Sequence, residues 1–229
     1  MARPRDACSK ACPGWHDGDV SNRVLAGWTL LLQLMYAGVA FGWRSWVQRR
    51  ATGDAGVRLA REAPLVARAA TGLMVAGAVT CLAGTAASLR PSHRVSRVRC
   101  LGLAGMALGL LGTYRAQVDM GASWRIGVDP AERTSLVTTG LFQWVRNPMF
   151  AAACLVAIAG AAAVTTPSTV AGAAMVTLGA ELQTRLVEEP YLDAAHGDSY
   201  REYASRTGRF VPGVGKPRWA GLGAPLSRR

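Results

Sequence analysis

Val24 to Trp43 is a run of twenty residues without a charged side chain. At about 1.5 Å of rise per residue, a helix of that length reaches about 30 Å, the thickness of a hydrocarbon core. In lipid every backbone N–H and C=O must be satisfied within the structure, so such a run has little choice but to be a helix. Leu65 to Leu89, carrying only Arg68, and Cys100 to Val118, carrying only Arg115, follow the same logic. Pro148 to Val164 and Thr169 to Val187 make two more, separated by Thr165, Thr166, Pro167 and Ser168. That breaker cluster is short enough to force an antiparallel helical hairpin. The expected fold is all-α, an integral membrane bundle of about five transmembrane helices ending in this hairpin and an amphipathic tail.

The division expected along the chain is a disordered N-terminus over 1–23, a three-span membrane half over 24–119, a catalytic region with the last two spans over 120–212, and a disordered basic tail over 213–229. The first span starts far from residue 1 and has no small-residue cleavage site after a short apolar core, so it is expected to stay as an anchor. Glycines recur in the second and third spans (Gly72, Gly77, Gly84; Gly102, Gly105, Gly109, Gly112), where small residues let helix backbones approach closely.

A net charge of +12 raises the possibility of nucleic acid, but the basic residues sit in short loops between apolar runs, which fits membrane orientation better. With five spans, the loop after the first span, residues 120–147 and the C-terminal tail share one side and carry most of the arginines. The positive-inside rule makes that side cytoplasmic. Arg90, Arg94, Arg97 and Arg99 fall on the other side and dissent. Cys81, Cys100 and Cys154 lie in or beside spans as small hydrophobes, and no disulfide framework is expected. Cys8, Cys12 and His16 recur every four residues but lack a fourth ligand, so no metal site is expected.

The chemistry is expected at one end of the last two spans. In Arg146-Asn147-Pro148, Asn147 can cap a helix and Pro148 suits its first position. The free donors and partial positive charge of a helix start, with Arg146 beside them, would hold an anionic group. The fifth span ends in Glu181, Gln183, Arg185, Glu188 and Glu189, a polar face in an otherwise apolar helix. Ionisable groups at membrane depth usually face a bundle interior or wet cavity and mark function. Across an antiparallel hairpin, Arg146 and Glu188-Glu189 converge. Beyond them, Tyr200 and Tyr203 belong to a short amphipathic helix that either lies on the bilayer or roofs the pocket.

In order, Leu136-Val-Thr-Thr-Gly140-Leu-Phe142, Val145-Arg146-Asn147-Pro148-Met149-Phe150, Arg185-Leu-Val-Glu188-Glu189, then Gly197, Tyr200, Tyr203 and Pro212 resemble the isoprenylcysteine carboxyl methyltransferases and their relatives, the phosphatidylethanolamine N-methyltransferases. The resemblance covers roughly Ser123 to Pro212 and implies a membrane-integral enzyme using S-adenosylmethionine. Carried over, Thr134, Ser135, Leu136, Val137, Phe142, Asn147, Pro148, Met149, Phe150 and Glu188 are the implied cofactor contacts. Arg146, Arg185 and Glu189 are the implied residues orienting the acceptor. Asn147 stands where the family has histidine, and Phe150 where it has tyrosine, losing a titratable ring and a hydroxyl.

The expected activity is methyl transfer to a lipophilic acceptor entering from the bilayer, a carboxylate or other nucleophile of a small lipid or isoprenoid-like molecule. A carboxylate needs no base, whereas an ammonium does; of His16, His93 and His196 only the last lies near the site, which favours an acidic or already nucleophilic acceptor, with a glutamate as the alternative base. The alternatives are a phospholipid N-methyltransferase, a sterol-type reductase, against which Met149-Phe150 and the paired glutamates argue, and a non-enzymatic lipid-binding protein. The Ala/Arg/Gly-rich composition points to a bacterial chain, and so to the inner membrane, while the positive-inside rule puts the site on the cytoplasmic face. Membrane lipids are the expected partners, nucleic acid is not, and oligomeric state is not legible.

Overall fold

The computed structural model describes residues 17–53, 64–89, 97–123 and 135–217. Cys8, Cys12, His16, residues 90–96, Thr134 and the tail from 218 lie outside the described residues. The described chain is helical, with no strand. Helix α1 (Asp17–Ala37) runs through a π-turn (Gly38–Trp43) into α2 (Arg44–Thr52). Then come α3 (Leu65–Ala87), α4 (Arg97–Met120), α5 (Pro148–Ala163) and α6 (Pro167–Gln183). A second π-turn (Thr184–Glu188) carries α6 into α7 (Glu189–His196), and α8 (Asp198–Arg206) follows.

Two helical stretches, Arg23–Arg50 and Leu65–Ala87, are long and apolar enough to cross a membrane. Only 22% of the most apolar window of each is buried, whereas the core helix of a soluble protein would be mostly covered. Their large side chains point outward: Trp28, Leu31, Leu34, Val75 and Val79 are all exposed. The other three expected spans do not meet the length and composition of a crossing one by one. Helix α4 begins with Arg97 and Arg99 and closes near Arg115 and Asp119, while α5 and α6 have 16 and 17 residues, about 24–26 Å of helix.

The most extensive packing joins α3 to α6 and α4 to α5, and α5 to α6 as well. These contacts need glycine. A Cβ at Gly77 would lie 2.7 Å from the Gly172 carbonyl oxygen, and one at Gly102 would lie 2.6 Å from that of Ala159. Gly72 faces open space, so not every glycine in the run serves packing. The core is correspondingly small-sided: Ala157, Ala161, Ala173 and Val176 form the α5–α6 seam. Buried polar groups tie α1 and its π-turn into the bundle. Gln33 donates to Thr85 at 3.2 Å, Gln117 donates to the Ala40 carbonyl at 3.0 Å, and Arg44 donates to that of Gly121.

Val164 to Thr166 link α5 to α6, and α6 starts at Pro167, two residues earlier than the apolar run implied. A capping box explains the start: Thr166 accepts from the Thr169 N–H while Thr169 accepts from the Thr166 N–H. The pairing along the α5–α6 seam brings the start of α5 level with the end of α6.

Candidate active site

The segment before α5 is fixed from three directions. Gly140 adopts φ 61°, a left-handed conformation that glycine accepts without strain. The Asp119 carboxylate at the end of α4 accepts from the Leu141 N–H at 2.9 Å and pairs with Arg115 at 2.8 Å. Phe142 is buried, and its carbonyl accepts from the Tyr203 hydroxyl at 2.6 Å. Helix α8 lays Tyr200, Tyr203 and Ala204 against Leu136 and Leu192, so the amphipathic helix covers the pre-α5 segment. Burial pushes the Tyr200 hydroxyl up to about 12, with the Glu189 charge adding to the effect, so it stays neutral.

The C-terminal segment then pairs with the start of α5: Arg146 N–H donates to the Gly208 carbonyl at 2.8 Å and Asn147 N–H to that of Arg209 at 3.1 Å. That pairing delivers Arg209 to the glutamates. Arg209 binds Glu189 with two donors, both at 2.9 Å, and reaches Glu181 at 3.2 Å. Arg146 meets Glu189 at 2.7 Å, and Arg185 pairs with Glu181. Glu181, Arg209, Glu189 and Arg146 thus form one continuous chain of charge. Burial opposes ionisation of Glu189, but the two arginines outweigh it and hold its carboxyl below the usual range. Hydrogen bonding to Glu189 in turn raises Arg209.

Arg146 is buried and largely committed. Besides Glu189 it donates to the carbonyls of Ala204 (3.1 Å), Gly215 (3.0 Å) and Thr207. Its Nη donors therefore go to protein, where the sequence had them available to an anion. Only Nε is left buried without a partner.

Asn147 precedes Pro148 as expected, but its side chain makes no capping hydrogen bond. Its backbone, at φ −127° and ψ 63°, is outside the β-region conformation from which cap side chains reach back to the helix. The Asn147 Nδ2 is instead buried without a protein partner. Gln183 Oε1 and Thr184 Oγ1, at the end of α6, share that condition. Buried polar atoms in native proteins are nearly always satisfied, so such atoms call for a water or ligand.

The adjacent glutamates differ sharply. Glu189 carries two arginines, while Glu188 makes no hydrogen bond or ion pair among the described residues. Burial and the neighbouring Glu189 charge push the Glu188 carboxyl up to about 7. The π-turn explains the division, because its wider turn breaks the four-residue register that would have continued Glu181 and Arg185 onto Glu188 or Glu189.

The remaining expected contacts spread along the same segment. Ser135 is exposed, its hydroxyl 3.0 Å from that of Ser123; Val137, Met149 and Phe150 are half-buried; Pro148 is buried at the first position of α5. Arg185 is exposed at the edge of the cluster. Arg209 and Asp119 were not singled out in the sequence for any role here. Arg209 follows a segment without periodicity, and only its backbone pairing with Asn147 reveals its place. Among the described residues, no group of histidine, cysteine and carboxylate side chains could hold a metal.

Residues 98–199, from α4 into α8, match the family model described as phospholipid methyltransferase, part of the membrane-integral methyltransferase group that the motifs resemble. No curated protein matches the chain.

Proposed function

We propose that this chain, whose residues 98–199 match the phospholipid methyltransferase family model, is an integral membrane methyltransferase that takes a methyl group from S-adenosylmethionine and delivers it to a lipid. The observation that carries this reading is that, of the buried polar atoms without protein partners inside the matched segment, Asn147 Nδ2 lies at the start of α5 and Gln183 Oε1 and Thr184 Oγ1 at the junction of α6 with the π-turn that ends in Glu188. Their chemistry fits the group. The Asn147 amide donates to a carboxylate, while the glutamine, threonine and glutamate oxygens accept from an ammonium or from ribose hydroxyls. When bound, the cofactor supplies a methyl group on a sulfonium, a strong electrophile.

The protein's own part is placement and proton handling. Arg146 acts here as a positioning residue: it locks the start of α5 to α7 and to the C-terminal segment, so that Asn147 is held still. Fixing two reactants in line lowers a transfer barrier by several kcal/mol, and the covering α8 helps exclude water. Glu189, held ionised by two arginines, cannot readily take a proton. Glu188 can.

That distinction bears on the acceptor. An ammonium must lose its proton before it attacks, and a carboxyl poised near 7 is suited to accept it. The base that the histidines did not supply is therefore available in Glu188, and the amine of a phospholipid headgroup is the favoured acceptor over a carboxylate. In this reading α4, α5 and α6 cross the membrane with the two longer apolar helices, and the charged cluster sits at the cytoplasmic face of the bacterial inner membrane.

Calorimetry of the purified protein with S-adenosylmethionine tests the cofactor directly. Saturable binding that Glu188→Ala weakens by about tenfold or more is expected, the loss of one or two hydrogen bonds to a charged group. No binding to the wild type, or equal binding to both proteins, contradicts the reading.

A further inference from the structure

Between the outer faces of α5 and α6 lies an open groove of about 760 Å³, lined by Ile158, Ala161, Ala162, Ala173, Ala174 and Leu178 among others. Its walls are alanine where neighbouring outward positions are large, which is what makes it concave. From Val170 to Glu181 it follows α6 for about 17 Å. Its lining is apolar except for Thr165 and Thr177, whose hydroxyls donate to the Ala162 and Ala173 carbonyls, and for Glu181, which puts the lining's ionisable group at one end. There Glu181 is held by Arg185 and Arg209, and over the linked cluster the arginines Arg146, Arg185 and Arg209 outnumber Glu181 and Glu189 by one positive charge. Arg209 bridges onward to Glu189, next in the chain to Glu188.

We propose that this groove holds one acyl chain of a phospholipid, with Arg185 at its polar end holding the phosphate. Three observations carry the assignment. An apolar channel ending in net positive charge complements a molecule that is apolar along its length and anionic at one end. The Arg185 guanidinium is exposed and gives Glu181 only its Nε, which leaves its two terminal nitrogens for a phosphodiester. The polar end is continuous, through Arg209, with Glu189, the chain neighbour of Glu188, so a seated chain brings its headgroup towards the proposed site of chemistry. The inference rests on the lipid methyltransferase reading and names the substrate surface for it.

The test uses full-length protein in nanodiscs containing phosphatidylethanolamine with a diazirine at the end of one acyl chain. Labelling of residues 158–178 is measured with and without excess unlabelled lipid. Saturable labelling is expected in the wild type, reduced about tenfold by Ala174→Phe and by Ala162→Phe, which fill the groove, and retained in Leu108→Phe, on the exposed face of α4. Arg185→Gln weakens competition by phosphatidylethanolamine but not by diacylglycerol. Circular dichroism verifies that each variant is folded, and the two groove-filling variants serve as checks on one another. Labelling that excess lipid does not reduce, or that all variants share equally, is that of a lipid shell and overturns the proposal. Methyl transfer without saturable labelling overturns the groove alone, whereas saturable labelling without methyl transfer keeps the groove and overturns the enzymatic reading.

Discussion

Arg146 and Glu189, 43 residues apart in sequence, meet at 2.7 Å with the arginine side chain almost wholly buried. The pair joins the start of α5 to the start of α7, and three backbone carbonyls complete the arginine's coordination. Breaking a buried pair from one side strands the other charge and typically costs about 3–5 kcal/mol. Arg146→Ala is therefore expected to lower the unfolding midpoint in detergent by several degrees. Arg146→Lys is expected to recover little, because an ammonium cannot reproduce a planar fork with four partners.

Glu188 gives the protein a pH dependence of defined sign. Its folded pKa, about 7, lies above the ordinary carboxyl value, so the folded state binds more protons than the unfolded one between about 4.5 and 7. Stability contributed by this group is thus greatest at low pH and is lost as pH rises through that window. Glu188→Gln is expected to remove that slope, measured as unfolding midpoint against pH. If Glu188 takes the proton from an amine, methyl transfer rises with pH to a plateau above about 7, and the glutamine variant loses both the rate and the limb.

The glycine seams predict a sharp contrast. Gly172→Val must push against the Gly77 carbonyl at 2.7 Å and the Cys81 sulfur at 2.6 Å, an overpacking that costs about 1–3 kcal/mol or more. Gly72→Ala meets nothing within 4 Å and replaces a poor helix former with the best one, so it should be neutral to stabilising. Thermal unfolding of the two variants side by side measures the difference.

Tyr203→Phe removes one oxygen and leaves the buried Phe142 carbonyl without its donor, at a cost of about 1–3 kcal/mol. The loss should be local. Faster proteolysis between residues 135 and 147, with α3 and α6 still protected, is the expected pattern.

The positions of the helices were legible because apolar run length sets them, and Arg146 and Glu189 were legible as neighbours because a turn as short as Val164 to Thr166 leaves the flanking ends side by side. Arg209 was not, since its place depends on residues 145–147 pairing with 208–209, a backbone contact with no signature in side-chain pattern. The separate fates of Glu188 and Glu189 were hidden for a different reason: a four-residue spacing assumes an unbroken α-helix, and the π-turn at Thr184–Glu188 changes the register where it matters. Asn147 shows the limit of a local motif. Its sequence says cap, while the pairing of its N–H with the Arg209 carbonyl and its φ of −127° free its side chain for something else.

Transfer of a labelled methyl group from S-adenosylmethionine to phosphatidylethanolamine, by purified protein in lipid nanodiscs, tests the central claim most directly. The account predicts methylated headgroup amine from the wild type and a loss of about a hundredfold or more in Glu188→Gln, the scale of general-base catalysis. Wild-type protein that binds the cofactor and lipid but never transfers the label, or a Glu188→Gln variant as active as the wild type, would contradict it.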